Sequence, residues 1–336
     1  MSLTSVSRTT ADEVIAQKTK QENDPAAFTW TEPEKAAAED PDFLIQGEYG
    51  IDGPDAAWGI QVVALGAGAF DAYLLENGLP GLGWTRAKKR IRLSGIRSGK
   101  DVQLSSEDKS VTAVIRRQTI SVSQNGSVIA DLPRIQRTSP TLGAKPTREA
   151  IVLFDGSSTD AWIEGVMENG LLANTNVATK EHFRDYTLHL EFRTPYKPFA
   201  RGQQRGNSGV YHQGRYETQV LDSFGLEGFM NETGGLYSIA DPILNMCLPP
   251  LVWQTYDVDF TAARFDAQGV LARHARITVK LNGVIVQGNQ ELPKTTPAAR
   301  VKKITPQPGP LFLQHHNNPV FYRNIWVAPK TASATE

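Results

Sequence analysis

Apolar and polar residues alternate in the second half of the chain, as in strands with one buried face. Over residues 185–193, every even position is apolar and every odd position is polar. A second alternating run ends at Leu281 and is followed by Asn282-Gly283, a strong hairpin signal because both residue types tolerate a positive φ. No amphipathic helical stretch of twelve or more residues occurs over residues 150–330. Strands without helices must bury one face against a second sheet, so the sequence predicts an all-β sandwich there.

A different β pattern precedes the sandwich. Six runs of five to eight residues, each bounded by Gly, Asn, Asp or Ser, lie at 58–65, 69–75, 89–95, 101–105, 110–115 and 119–123. They predict a small antiparallel β-domain of six or seven strands over residues 41–141. Prolines and a lack of periodicity place a linker at residues 142–149, ahead of the sandwich at 150–330.

Composition narrows the possible functions. Residues 1–40 contain eight acidic and four basic residues and predict an acidic tail, and residues 331–336 form a second tail. Over all 336 residues, the formal net charge of -1 argues against nucleic-acid binding, which needs a basic face. The single Cys247 excludes an intrachain disulfide and a Cys-based zinc site. No stretch approaches the roughly 20 apolar residues of a transmembrane span, and no signal-peptide pattern is visible.

The most informative segment is RGNSGVYHQGRYETQVLDS at residues 205–223. If Gln213-Gly214 is a two-residue turn, His212 pairs with Arg215, and paired residues share a face. One face then carries Ser208, His212, Arg215, Glu217 and Gln219, while Tyr211 and Tyr216 lie on the opposite, more apolar face. Such a polar face is either solvent-facing or the floor of a cleft. The small residues at 206–209 favour a cleft, because they let a ligand approach the backbone.

A second polar set lies near the C-terminus. Gln314 and His316 share a face, whereas His315 is in register with Leu311 and Leu313 and is predicted to be structural. Neighbouring side chains on a strand point to opposite faces, so the two histidines cannot bind one ion from a strand. A divalent cation stays possible as a cofactor, with ligands drawn from distant strands.

The sequence does not specify the two carboxylates of an ordinary glycosidase. A retaining enzyme needs two carboxyl groups about 5–5.5 Å apart. The next positions on the face of Glu217 are Gln219 and Leu221. Glu191, on another strand, or Asp222, just past the strand end, could be the partner.

Seven ordered motifs carry a family resemblance. They are LFDG at 153–156, LEFR at 190–193, RGNSGVY at 205–211, YETQVLDS at 216–223, WQTYD at 253–257, VKLNGV at 279–284, and LQHH at 313–316 with RNIW at 323–326. In this order they resemble the 3-keto-disaccharide hydrolase domain over about residues 150–329. The resemblance implies a concanavalin A-like jelly roll, related to glucanases and legume lectins and usually exported. His315 departs from this pattern, because the family usually has Asp there.

The resemblance also implies a chemistry that needs no carboxylate pair. A ketone at C3 of a sugar acidifies the C2 proton, so one base can remove it and expel the glycosidic oxygen from C1. Water can then add to the resulting enone. On this reading His316 or Glu217 is the base, and Arg205 or a bound cation holds the enolate. The residues expected to bind substrate are Asn207, Ser208, His212, Gln219, Asp222, Gln314 and Glu191.

The sequence thus predicts a glycoside-cleaving hydrolase or lyase whose small carbohydrate substrate is a 3-keto-disaccharide or a related 3-keto-glycoside. The alternative is a non-catalytic carbohydrate-binding module, because the same sandwich supports lectins. The resemblance favours a secreted or periplasmic location, with a cytoplasmic one still open. The sequence does not indicate the oligomeric state.

Overall fold

The computed structural model describes residues 28–51, 53 and 56–330, which form an eight-stranded barrel followed by a two-sheet sandwich. One short helix, α1 (Pro33–Glu39), precedes the barrel, and a 3-10 turn lies at Gly202–Gln204. Within these residues, no helix is long and apolar enough to cross a membrane. Residues 1–27 of the expected acidic tail and the C-terminal tail at 331–336 lie outside the described part.

The barrel strands are β1 (Gly47–Tyr49), β2 (Trp58–Gly66), β3 (Ala69–Glu76), β4 (Arg90–Ser98), β5 (Asp101–Ser105), β6 (Val111–Arg116), β7 (Thr119–Gln124) and β8 (Ser127–Ile135). The six runs seen in the sequence correspond to β2–β7, so the expected count of six or seven strands was too low. Strand β1 was missed because it has only three residues. Strand β8 was missed because it contains Pro133, and a proline within a run argues against a strand. Their mutual pairing closes the barrel.

The sandwich strands are β9 (Ile151–Phe154), β10 (Trp162–Ile163), β11 (Met167–Glu168), β12 (Leu171–Ala173), β13 (Val177–Thr179), β14 (Tyr186–Arg193), β15 (Ser208–His212), β16 (Tyr216–Val220), β17 (Gln254–Thr261), β18 (Arg264–Phe265), β19 (Leu271–Arg273), β20 (Ala275–Leu281), β21 (Val284–Leu292), β22 (Phe312–Leu313) and β23 (Phe321–Pro329).

Two sheets enclose the sandwich core, which confirms the predicted fold class. The smaller sheet has the order β10-β13-β22-β15-β16, and the larger has the order β11-β12-β23-β14-β17-β20-β21, with β9 beside β23. Val210 and Val220 of the small sheet and Leu190 of the large sheet belong to one buried cluster. The turn at Asn282 (φ 51°) and Gly283 (φ 81°) is also confirmed, and it joins paired Leu281 and Val284.

The barrel packs directly on loops of the sandwich. Val63 and Tyr73 of the barrel share a buried cluster with Phe224 and Cys247. The Arg86 guanidinium donates to the carbonyl oxygens of Pro242 and Ile243, in the loop between β16 and β17. This loop also carries Tyr237, a residue of the candidate active site. The barrel therefore supports a loop that reaches the candidate site.

Candidate active site

A small cavity of about 140 Å³ opens on the outer face of the five-stranded sheet. Strand β16 contributes Glu217 and Gln219 to its lining, and four segments outside the strands contribute the other lining residues. Its lining residues are Gln203, Asn207, Glu217, Gln219, Tyr237, Pro297, Ala298, Gln314 and His316. Asn207, Glu217, Gln219, Gln314 and His316, all expected from sequence to belong to the site, therefore lie together.

The predicted register of the β15–β16 hairpin is wrong by one residue. The turn itself exists, because Gln213 and Gly214 have positive φ and the Arg215 amide donates to the His212 carbonyl oxygen. Arg215, however, bulges out of the ladder, since its carbonyl accepts from the Thr296 amide. His212 consequently pairs with Tyr216. A one-residue shift reverses the faces of one strand relative to the other.

Tyr211 therefore lies on the site face, opposite Glu217 in the register. The Tyr211 hydroxyl donates to Oε2 of Glu217 at 2.7 Å. The Gln314 amide nitrogen in turn donates to the Tyr211 hydroxyl oxygen at 3.2 Å. Both neighbours orient the Glu217 carboxyl group toward the cavity that it lines.

The second carboxyl oxygen of Glu217 also has a defined partner. One terminal atom of the Gln219 amide lies 3.0 Å from Oε1 of Glu217 and 2.8 Å from the Ser208 carbonyl oxygen. A backbone carbonyl can only accept, and the Ser208 carbonyl is closer to this atom than the Asn231 carbonyl, at 3.3 Å, is to the other terminal atom. This atom is therefore the amide nitrogen, and it donates to both oxygens. Glu217 thus receives one hydrogen bond on each oxygen.

Burial controls the charge of Glu217. The residue is only 3% exposed, and this desolvation raises the pKa of its carboxyl group to about 7, although the hydrogen bond from Tyr211 acts in the opposite direction. Near neutral pH the group is therefore present in both its acid and its base form. A pKa close to the working pH suits a general acid or base.

Gly209 makes room for this carboxyl group. A Cβ atom at position 209 would lie 2.3 Å from Oε1 of Glu217, far inside van der Waals contact. The small residue in the Gly-Asn-Ser-Gly segment therefore accommodates a catalytic candidate of this chain, whereas the sequence suggested that it accommodates a ligand.

His316 lies at the exposed rim of the cavity. Its carbonyl oxygen accepts from the Asn318 amide at 2.7 Å, and Oδ1 of Asn318 accepts from the buried Lys197 at 2.6 Å. Strand β22 ends at Leu313, so the strand alternation does not continue through the two histidines. His315 is consequently exposed, and the expectation that it packs with Leu311 and Leu313 is wrong.

Arg205 and Asp222 do not line the cavity. Nε of Arg205 donates to Oδ2 of Asp222 at 2.6 Å, and both side chains are almost fully buried. Arg205 also contacts the carbonyl oxygen of Ala64 in the barrel at 3.3 Å. This ion pair lies in the packed junction of barrel and sandwich, so the structure does not place Arg205 where it could hold an enolate in this cavity.

Ser208 and His212 project to the core side, as a result of the register shift. The imidazole of His212 lies between Tyr186 and Thr218, 3.0 Å from each hydroxyl. Complete burial lowers its pKa to about 3, which keeps it neutral. The Ser208 hydroxyl bonds to the Gln314 carbonyl oxygen and to Tyr322. Both residues support the floor from behind and do not line the cavity.

Glu191 lies on the other sheet and is not a carboxylate partner for Glu217. It projects from the outer face of β14, where it accepts from Arg323 and Asn324 and from the Gly143 amide. Burial raises the pKa of the Glu191 carboxyl group, but the hydrogen bonds from His189 and from these three donors outweigh it and lower the pKa to about 2. Its role in this structure is to fasten the segment between barrel and sandwich to the large sheet.

Sequence reasoning missed Gln203, Tyr211, Tyr237 and the Pro297-Ala298 wall. The wall is positioned by the buried Arg215, which donates to the Lys303 carbonyl oxygen at 2.9 Å and to the Thr305 hydroxyl at 2.8 Å. Recognising a bulge at Arg215 would have revealed Tyr211. The remaining residues come from loops for which the sequence gives no pairing signal.

In the described ranges, no group of three or more His, Cys, Asp or Glu side chains is arranged to hold a metal ion. The polar groups of the cavity are amides, a phenol, one carboxyl group and one imidazole, which suit hydrogen bonding to sugar hydroxyls.

This chain is similar to a known domain family and to solved structures. Residues 149–328 match the model of the 3-keto-alpha-glucoside-1,2-lyase-like domain. A crystal structure of a putative glycosyl hydrolase from Parabacteroides distasonis is 33% identical, with a TM-score of 0.50, over 55% of this chain and 84% of that one. A second putative glycosyl hydrolase from the same organism is 17% identical, with a TM-score of 0.40, over 56% of this chain and 99% of that one. No curated protein matches the sequence.

Proposed function

We propose that this chain, which belongs to the 3-keto-alpha-glucoside-1,2-lyase-like domain family, cleaves 3-keto-disaccharides or related 3-keto-glycosides by elimination across C1 and C2, followed by addition of water. Glu217 is the proposed acid–base group. The lining, in which amides are the commonest polar groups and Glu217 is the one acidic group, and the small volume of the cavity favour a single uncharged sugar ring at the reacting position.

The observation that carries this proposal is the presence of one carboxyl group. Among the described residues that line the cavity, Glu217 alone has a carboxyl group. Direct displacement by a retaining or inverting glycosidase ordinarily uses a pair of carboxyl groups. Elimination next to a ketone needs only one base, which can return the proton as an acid.

The proposed reaction begins with proton transfer from the sugar to Glu217. The Glu217 carboxylate takes the C2 proton of the sugar, and the C2–H electron pair forms an enolate with the C3 ketone. The enolate expels the glycosidic oxygen from C1, which leaves a C1–C2 double bond, and the departing oxygen takes a proton from Glu217 or from His316 at the rim. Water then adds at C1 and a proton returns to C2, which releases the 3-keto sugar.

The amide groups of the cavity supply binding and orientation. Because Arg205 is held in its buried ion pair, we assign the enolate oxygen to the Gln314 amide nitrogen, which uses one hydrogen on Tyr211 and keeps a second. We assign the neighbouring sugar hydroxyls to the amide oxygens of Asn207 and Gln219. Amide donors that are already in place stabilise developing negative charge without reorganisation. His316 is the alternative base, and separate variants distinguish the two assignments.

The test is product formation from a 3-keto-disaccharide and from its unoxidised parent, followed by chromatography. We expect cleavage of the keto-sugar only, and loss of turnover in Glu217→Gln with the fold retained. Glu168→Gln, which alters an exposed carboxylate on β11, is the matched control and should behave as wild type. Parallel reactions with EDTA test whether a divalent cation takes part.

Other outcomes would replace the proposal. Full activity in Glu217→Gln together with its loss in His316→Gln would transfer the role of base to His316. Saturable binding of the unoxidised oligosaccharide, with no product from either sugar, would favour the carbohydrate-binding module.

A further inference from the structure

A second cavity lies at the junction of barrel and sandwich and shares no residue with the candidate active site. It has a volume of about 300 Å³. Its walls come from Pro33 at the start of α1, from residues 43–48 and 134–138 of the barrel, and from residues 249–252 of the sandwich. Pockets of this size accommodate small organic ligands.

The lining is mainly apolar but has an uncompensated positive charge. The charged lining residues are Glu48, Arg134 and Arg137. Glu48 and Arg137 neutralise each other in a two-bond ion pair with distances of 2.6 and 2.5 Å. Arg134 makes no ion pair with any residue that the structure describes, and its Nη2 donates to a backbone carbonyl, that of Gln46, at 2.9 Å.

The hydroxyl group near Arg134 does not balance this charge. Tyr49 lies beside the guanidinium, and burial raises the pKa of its phenol to about 12, so the phenol is neutral at physiological pH. The charged residues of the cavity therefore sum to one positive charge, carried by Arg134.

Two nitrogen donors beside this cavity lack acceptors. Nε of Arg134 has no hydrogen-bond partner among the described residues, and neither does Nε2 of Gln46. Gln46 is 1% exposed, and its Oε1 accepts from the Ala64 amide at 3.3 Å. Buried donors without acceptors are destabilising and uncommon in folded proteins. Both nitrogens have almost no accessible surface, so they lie behind the cavity wall, and an occupant of the cavity would instead meet the uncompensated charge of the Arg134 side chain.

We propose that the junction cavity binds a small organic carboxylate with a compact apolar body. A carboxylate supplies two acceptor oxygens and one negative charge, and arginine binds such groups through paired hydrogen bonds. Phe43, Leu44 and the Pro249-Pro250 wall provide apolar contact for the rest of the molecule. This site is independent of the proposed glycosidase function.

Because barrel and sandwich both contribute walls, an occupant contacts both units. A ligand that binds the folded chain and not the unfolded chain raises its stability by mass action. Occupancy should therefore increase the melting temperature of the whole protein, in proportion to the logarithm of the ligand concentration above saturation.

The experiment is a calorimetric and thermal-melting titration of the full chain with benzoate and with its neutral analogue benzamide. We expect saturable benzoate binding, at least tenfold weaker binding of benzamide, and at least a tenfold loss for benzoate in Arg134→Gln. Arg148→Gln, an exposed arginine outside the cavity, is the control and should bind as wild type.

A second variant keeps the test decisive if Arg134→Gln does not fold. Leu44 is 48% exposed at the cavity wall, so Leu44→Glu can be accommodated at the surface and should repel the anion. Absence of saturable benzoate binding would overturn the proposal. Equal binding of benzamide, or benzoate binding unchanged in the folded variants, would overturn it too.

Discussion

The Tyr211 hydroxyl donates a 2.7 Å hydrogen bond to Oε2 of Glu217 from the directly opposite position of the neighbouring strand. This contact exists only because Arg215 bulges out of the hairpin, which places Tyr211 on the cavity face. It couples the orientation and the pKa of the carboxyl group to a residue that has no acid–base role of its own.

The pH dependence of kcat/KM should follow the ionisation of Glu217. Because burial raises the carboxyl pKa to about 7, kcat/KM should rise with pH and level off above this value if the carboxylate is the base. Tyr211→Phe removes a donor that stabilises the charged form, so the profile should move upward by roughly one pH unit. An unshifted profile in a folded Tyr211→Phe variant would contradict the coupling.

Replacing Glu217 with glutamine should change stability in a pH-dependent way. Between the ordinary pKa of 4.5 and about 7, the folded chain holds a proton that the unfolded chain releases. The wild type therefore loses stability as pH rises through this window. Glu217→Gln should be more stable than wild type above pH 7 by up to about 3 kcal/mol, with the gap closing below pH 4.5.

Denaturant unfolding at several pH values measures this difference. Glu168→Gln, whose carboxylate is exposed, should show no such gap. If the difference in unfolding free energy between Glu217→Gln and wild type is the same at pH 5 and at pH 8, the carboxyl group is not buried as described.

Gly209→Ala should impair catalysis while leaving the fold intact. The new methyl group would overlap Oε1 of Glu217 and push the carboxyl group away from Tyr211. A displacement of about 1 Å at a reacting group can cost on the order of 100-fold in rate. Gly288→Ala on β21 is a suitable control, because its nearest neighbour atom would be 3.9 Å away, and it should retain activity. Unchanged kcat/KM in Gly209→Ala would argue against a precisely held Glu217.

Arg215→Met should weaken substrate binding more than the chemical step. The variant removes the hydrogen bonds that fix the segment with the Pro297-Ala298 wall, so KM should rise severalfold with kcat little changed. Stability should fall by about 2 kcal/mol, because buried carbonyl and hydroxyl groups lose a charged donor. Steady-state kinetics and hydrogen exchange over residues 293–311 check both effects, with the exposed Lys294→Met as control. A loss confined to kcat would contradict this assignment.

The sequence predicted the fold and the orientation of one strand, β16, of the β15–β16 hairpin. Alternation predicted the sandwich, Asn282-Gly283 predicted a real turn, and the polar face of β16 was assigned correctly, with Glu217 and Gln219 toward the cavity. These features depend on neighbours within a few residues, so the chain itself contains the signal.

The orientation of β15 could not be predicted, because it depends on a distant contact. Arg215 leaves the ladder, and its carbonyl oxygen accepts a hydrogen bond from Thr296, 81 positions later. No sequence pattern near the hairpin indicates this contact. The structure places Arg205 and Glu191 outside the cavity, contrary to expectation, for a related reason. Their residue types suit a polar site, but each forms an ion pair with a tertiary partner, Asp222 or Arg323, that sequence spacing does not identify.

The central claim, removal of the C2 proton with Glu217 as base, is tested most directly by a kinetic isotope effect. A 3-keto-disaccharide carrying deuterium at C2 should react with a primary isotope effect on kcat/KM, and Glu217→Gln should abolish turnover of both isotopic forms. Cleavage at equal rates with hydrogen and deuterium at C2, in reactions where bond breaking limits the rate, would show that the C2–H bond stays intact and would contradict the elimination mechanism.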